Sequence, residues 1–421
     1  MFLLILLYLV LTIIRPQDYL PGLENVPLLP AVLGLAFASW MFSRDRTFAA
    51  PQFVLLPAFL VVLMLSQATN GWVGGMLDEL SRFGPAVAAF FIFAAACTSR
   101  KRVVTSMRVF VLCSVVLALH SIQQAQTGVG WTGIPLGEEG RVQYVGIFND
   151  PNDLGLLFVA TLPMAFFLAR QAGALMKLAW WSGAALMLYG VYLTNSRGAM
   201  LAVLVVAGIY IWHKRGLFTA GTLGLVGLVA MQALSSRMTE LDAGEESANG
   251  RVEAWYEGLH MFLENPVFGV GAGNFTDYNE LTAHNSFVLV LAETGFVGYI
   301  IWLAFVGYGF WMMLSVMRYR PGATMDAAQA SDLVFEKRLA LTLLLSLCGL
   351  FAAAFFLSRS YMIVLYLIAA MVTGYYVGAR RRLPELPSFS LAEGWWRWVP
   401  ASMGSITALY VLVAILLRTA K

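Results

Sequence analysis

Charge is scarce in this chain. Only 12% of its 421 residues are Asp, Glu, Lys or Arg, about half the share found in soluble domains. That shortage excludes a soluble enzyme and a disordered chain. The net charge of +3 is too small to imply a polyanionic partner, so nucleic acid is excluded too. Cysteine is nearly missing. Cys97, Cys113 and Cys348 lie in or beside apolar runs, which leaves no disulfide framework. The apolar runs are continuous rather than alternating, which argues against a β-barrel. The opening stretch, MFLLILLYLVLTII, lacks a basic leader and a small-residue cleavage site. It reads as a retained first span.

What remains is apolar, at 59% of residues. A membrane-spanning helix needs about 20 such residues. Twelve stretches qualify, near 1–14, 26–43, 52–67, 82–97, 103–122, 153–169, 175–194, 198–213, 216–233, 285–314, 339–357 and 361–379. A thirteenth, 398–417, follows Trp395, Trp396 and Trp398 and either spans the membrane or lies along it. The pattern predicts an all-α polytopic membrane protein with about 12 transmembrane helices and a large external loop carrying short helices. The domain expectation is N-terminal transmembrane helices over 1–139, a core over 140–314 that includes the loop 234–284, and C-terminal transmembrane helices over 315–421.

Lysine and arginine placement orients the chain. With the N-terminus in the cytoplasm, the loops on that side hold most of the basic residues, including Arg44, Arg46, Arg100, Lys101, Arg102, Lys214, Arg215, Arg380, Arg381 and Arg382. The other side holds Arg15, Arg82, Arg141, Arg197, Arg237, Arg251 and Arg359. Two segments on that side are too long for turns, about 123–152 and 234–284, and the second contains the acidic stretch MTELDAGEESANG. Long loops of this kind are usually functional or disordered. After Asn249 and Gly250, the residues Val252, Trp255, Leu259 and Phe262 recur at helical spacing. They predict an amphipathic helix on the membrane surface, ended by Asn265-Pro266.

Polar residues concentrate on that same side. Arg141 precedes the span near 153, Arg197 sits in the tight turn TNSRG, Arg251 opens the surface helix, and His284 opens the next span. Arginine offers a planar fork for phosphate, and a helix N-terminus adds donors for the same anion. A lone interfacial arginine usually snorkels to lipid headgroups, and His284 equally reads as an ordinary residue at a helix start capped by Asn285 or Ser286. Glu293 is the one acid well inside an expected span, and beside Thr294-Gly295 it also reads as the mark of a helix irregularity. The run Asn149-Asp150-Pro151-Asn152-Asp153 reads first as a turn and helix cap. Its alternatives are sugar-hydroxyl binding, or a divalent metal on Asp150 and Asp153. GVGAG at 269–273 lacks the strand and helix of a phosphate loop and reads as a tight connection.

Four segments together carry a family resemblance: GRVQYVGIFNDPNDLGLLF (140–158), LTNSRGAMLA (193–202), GRVEAWYEGLHMFLENPVFGVGAGNF (250–275) and AHNSFVLVLAETGFVGY (283–299). In this order the chain resembles the bacterial O-antigen ligase and polymerase superfamily. Arg15 to Tyr19, an R-P-x-D-Y segment, is similar to a subgroup of O-glycosylation ligases associated with exopolysaccharide loci. The resemblance implies a GT-C-like glycosyltransferase of the bacterial inner membrane, multi-pass, with its active site facing the periplasm. It makes 140–314 the ligase/polymerase core. It implies a glycan donor on undecaprenyl pyrophosphate, an acceptor such as lipid A–core or another glycan, membrane lipids around both, and no cofactor or metal. By matched position, His284 is the catalytic residue. Arg197, Arg251 and Arg141 bind the pyrophosphate, and Glu293, Asn152 and Asn285 are accessory candidates. The leading expectation is O-antigen ligation to lipid A–core, metal-independent and inverting. The alternatives are an O-antigen or exopolysaccharide polymerase, a protein O-oligosaccharyltransferase and, from another class, a transporter of lipid-linked sugars.

Overall fold

The computed structural model describes residues 1–23, 26–44, 46–234, 241–321 and 326–419, and for 231–234, 241–249 and Thr419 the backbone alone. Arg237 and most of the acidic run 238–250 therefore fall outside the described side chains.

Among the described residues, all the named elements are helices. The α-helices are α1 (Phe2–Ile14), α2 (Leu28–Met41), α3 (Gln52–Thr69), α4 (Gly75–Ala96), α5 (Arg100–Thr127), α6 (Pro151–Gln171), α7 (Ala174–Leu193) and α8 (Arg197–Arg215). They continue as α9 (Leu217–Leu234), α10 (Leu241–Glu264), α11 (Phe275–Tyr278), α12 (Ser286–Arg318), α13 (Ala327–Ala354), α14 (Ile363–Arg382), α15 (Leu391–Gly394) and α16 (Trp398–Thr419). Among the described residues, ten helices are long and apolar enough to cross a membrane, and the apolar helices α1, α2 and the first part of α9 are shorter. Every expected apolar stretch is a helix. This is a polytopic all-α membrane protein.

The thirteenth stretch runs beside a spanning helix. Trp398 packs edge-on against Tyr308 of α12 at 4.9 Å. Further along α16, Ser405 meets the Tyr299 hydroxyl at 2.7 Å. As α12 numbering falls α16 numbering rises, so the two are antiparallel neighbours through the membrane. The last turns of α16 reach α10.

Two acids correct the sequence expectation that Glu293 alone lies inside a span. Helix α4 begins a turn or more before the expected edge and buries Glu79, and α13 begins about three turns early and buries Glu336. Each is held by arginine, as a carboxylate in a low-dielectric setting requires. Glu79 pairs with Arg82 at 2.7 Å. Glu336 takes Arg100 at 2.7 Å, Arg382 at 2.6 Å and the Tyr375 hydroxyl at 2.7 Å. This second cluster ties α5, α13 and α14 together at the arginine-rich end of the bundle.

Helix α12 is broken at Gly295, whose φ of 62° and ψ of −163° are open only to glycine. The segment after Asn265-Pro266 enters the bundle there and supplies the missing pairings. Val270 N–H donates to Ala292 O and Gly271 N–H to Glu293 O. On the other side of the break, Phe296 N–H donates to Pro266 O and Val297 N–H to Val267 O. Non-helical backbone is tolerated at membrane depth only when protein satisfies it. Helix α3 completes the cover: Asn70 Nδ2 donates to Gly269 O, Gln67 Nε2 to Ala272 O, and Ser66 Oγ accepts from Ala272 N–H. GVGAG is thus a tight connection, buried from Gly269 to Ala272, and Gly269, Gly271 and Gly273 all have positive φ.

Candidate functional site

The candidate residues gather at the end of the bundle opposite the Glu336 cluster, where α6, α8 and α12 begin and α13 meets α14. Asp150 caps α6, its carboxylate accepting from Asn152 N–H at 2.8 Å. Ser196 caps α8, accepting from Ala199 N–H at 3.3 Å, which sets Arg197 in the first turn. Asn285 caps α12, accepting from Phe287 and Val288 N–H at 2.9 and 3.2 Å. Three helix N-termini with their partial positive charge therefore open on one face. Small residues let the chain approach closely here: a Cβ on Gly155 would lie 2.7 Å from Ala199, and one on Gly198 would lie 3.0 Å from Phe356.

A chain of hydrogen bonds joins the pieces. The Arg141 guanidinium donates to Thr194 O and to Asn152 Oδ1, both at 2.9 Å. Asn152 Nδ2 in turn donates to Asp150 at 2.8 Å. Arg359, in the link between α13 and α14, donates to Asp150 at 3.2 Å and to Asp153 at 2.5 Å. Asp153 is nearly buried, so its charge depends on that guanidinium. The cap reading of the 149–153 run therefore describes Asp150, and both carboxylates are engaged by arginine. Among the described residues, no three His, Cys, Asp or Glu side chains gather to hold a metal.

His284 adopts a left-handed backbone, φ 46°, immediately before its capping neighbour Asn285. Arg15 and Asn195 share this uncommon conformation at the same face. Such strain, of order 1–3 kcal/mol per residue, tends to persist where structure over-determines it. Burial lowers the imidazole pKa, the positive charges of Arg251 and Arg359 lower it further, and only Asp150 opposes them. The ring is therefore held neutral, able to accept a proton. Three charges that are remote in sequence act on one imidazole.

The local reasons are legible. Trp255, one turn after Arg251, is buried against Phe355 with rings 5.6 Å apart. That contact docks α10 on the α13–α14 link. Ser286 ties the same link to the start of α12: its hydroxyl donates to Leu357 O at 2.6 Å and accepts from Arg359 N–H at 3.0 Å, and its carbonyl accepts from Ser360 at 2.8 Å. Thr282 adds a bond to Ser358 at 2.8 Å. His284 and Arg359 are thus fixed relative to each other through backbone.

Glu293 lies deeper. Its carboxylate accepts from the Tyr361 hydroxyl at 2.7 Å, and the Arg82 guanidinium sits 5.2 Å from the Tyr361 ring centre. Its side chain bonds tyrosine, not histidine. The R-P-x-D-Y segment packs on the 140–148 loop: Arg15 lies against Gly146, the Tyr144 hydroxyl donates to Ile14 O at 2.8 Å, and Tyr19 meets the Tyr144 ring edge-on. Sequence reasoning passed over Arg359 and Tyr361. The short link S-R-S-Y between two spans, with an arginine on the sparsely basic side, was the available signal.

The network borders a cleft of about 410 Å³. A larger one, about 670 Å³, lies between α10 and α16 with Tyr256 and Tyr410 on its walls.

No curated protein matches the chain. Residues 182–303, from α7 to the first half of α12, match the model of a family described as O-antigen ligase. That span contains Arg197, Arg251, His284, Asn285 and Glu293, and it stops short of Arg141 and Arg359. The central segment of this multi-pass membrane protein is thus similar to the O-antigen ligase family.

Proposed function

We propose that this protein transfers a glycan from undecaprenyl pyrophosphate to an acceptor hydroxyl, most directly O-antigen to lipid A–core, on the periplasmic side of the bacterial inner membrane. The observation that carries the reading is the set of charges converging on His284 at the face where three helices begin. The arginine-rich opposite face supports the orientation, since basic residues stay cytoplasmic.

In the reaction, the acceptor oxygen attacks the anomeric carbon while the bond to the pyrophosphate oxygen breaks. Negative charge grows on the leaving diphosphate. Arg197 and Arg251, with Arg141, bind it and stabilise that charge, aided by the helix N-termini. His284 takes the hydroxyl proton. Its lowered pKa keeps it unprotonated near neutrality. One displacement inverts the anomeric configuration, and the residues required include no metal ligand. Asn285 holds the backbone of His284 through its cap, and Asn152 holds Arg141.

The experiment is direct. Purified protein is given lipid-linked donor with lipid A–core, with a second donor molecule, or with a protein acceptor, and products are identified by mass spectrometry. Glycosylated lipid A–core is expected. Elongated donor or glycoprotein instead would reassign the acceptor. Donor crossing a vesicle membrane with no acceptor modified would reject transfer altogether.

A further inference from the structure

The proposed reaction needs room for two substrates, and the charges at the site divide into two groups. Arg141, Arg197 and Arg251 are absent from the walls of the 410 Å³ cleft, which is lined by Ile147, Asn149, Asp150, Asp153, Arg359 and Tyr361, among others. Its volume is within the range of small-molecule sites. Its charge is of the wrong sign for a diphosphate, because two carboxylates outnumber the single guanidinium that bridges them.

We propose that this cleft is the acceptor subsite and holds an uncharged sugar by its hydroxyl groups. The inference rests on the glycan-transfer reading above and adds to it the place and the class of the second substrate.

Hydroxyls both donate and accept, and the lining alternates accordingly. Asp150 offers carboxylate lone pairs from a side chain that is one-third exposed. Arg359 offers N–H donors, and Ser358 and Asn149 offer both kinds of group. Asn149 makes no hydrogen bond of its side chain to any described residue, so its amide is free for a ligand. The walls are fixed before anything binds. Tyr361 is held by Glu293, Arg359 by two carboxylates and the Ser286 hydroxyl, and Gly146 by Arg15 packed against it. Preorganised donors and acceptors lose little entropy on binding. Position agrees with chemistry: Asp150 lines the cleft and its charge also acts on His284. A sugar in the cleft would therefore present a hydroxyl toward the base, with the donor diphosphate on Arg141, Arg197 and Arg251 outside the cleft.

The test uses the full chain in lipid nanodiscs with lipid-linked donor extracted from the host and lipid A–core as acceptor. Ile147→Trp fills the cleft, and Asn149→Ala removes the free amide. Acceptor KM is expected to rise at least tenfold in the first and about threefold in the second, with donor Kd within twofold of wild type in both. An unchanged acceptor KM overturns the assignment. So does a parallel loss of donor binding, which would put the diphosphate in the cleft. If Ile147→Trp does not fold, Asn149→Ala alone decides, because its truncation breaks no side-chain bond to any described residue. Failure of the transfer reading itself looks different: wild-type protein would then leave donor intact with every acceptor.

Discussion

Arg359 is the residue whose replacement tests the architecture of the site most sharply. Its guanidinium bridges Asp150 and Asp153, and the Asp153 side chain is only 4% exposed. Replacing Arg359 with Met keeps the stem and removes the charge, which leaves Asp153 buried beside a second carboxylate without its counter-ion. Breaking a buried pair in this way costs about 3–5 kcal/mol. The Arg359 side chain is itself one-third exposed, so water relieves part of the penalty and about 2–3 kcal/mol is the expected loss. Asp153→Asn costs less, because Arg359 keeps Asp150 and solvent. In the double variant the stranded charge is gone. Its destabilisation should fall short of the sum of the two single losses by at least about 1 kcal/mol, within the range seen for groups in contact. Reversible unfolding in mixed micelles reads all four proteins. Additive losses, or an Arg359→Met protein as stable as wild type, would refute the claim that the pair holds the start of α6 to the α13–α14 link.

Other outcomes follow from the same geometry. His284→Ala should lower transfer by about 10²–10⁴-fold with donor binding retained, and wild-type turnover would remove it from the reaction. Transfer should rise with pH through the His284 pKa, which burial and then Arg251 place below its ordinary value near 6.5. Arg251→Gln removes a repelling charge, raises that pKa and moves the acidic limb to higher pH; a limb that stays or moves lower contradicts the assignment. Gly295→Ala would set a Cβ 2.5 Å from the Val267 carbonyl group in a conformation reserved for glycine. It should destabilise the fold by at least about 3 kcal/mol, measured by the same unfolding assay, and a neutral effect would mean that the break relaxes. Activity should persist in excess chelator, and its loss would return Asp150 and Asp153 to consideration as metal ligands.

The spans were readable because apolar runs need only length, and each became a helix. Their ends were less readable. Glu79 and Glu336 look like loop residues until Arg82, Arg100 and Arg382 are known to meet them; Arg82 is a neighbour on the same helix, but Arg100 and Arg382 come from other helices. The site shows the same division. Arg141, Arg197, Arg251 and His284 stand out by residue type and by the side of the membrane they share. Arg359 shares both, but its role is hidden because it comes from carboxylates some two hundred positions earlier in the chain. The irregularity beside Glu293 was visible as Thr-Gly, whereas its cause, a second stretch of backbone filling the gap, is a tertiary fact. The outer side chains of 238–250 lie beyond what the structure describes.

The break in α12 also sets a rule for chain length. Four amide-to-carbonyl pairings lock 266–271 to 292–297 in a single register. One inserted or deleted residue there would shift every partner at once and strand polar backbone where hydrocarbon surrounds the bundle and no solvent can substitute. This piece can change in composition but not in length.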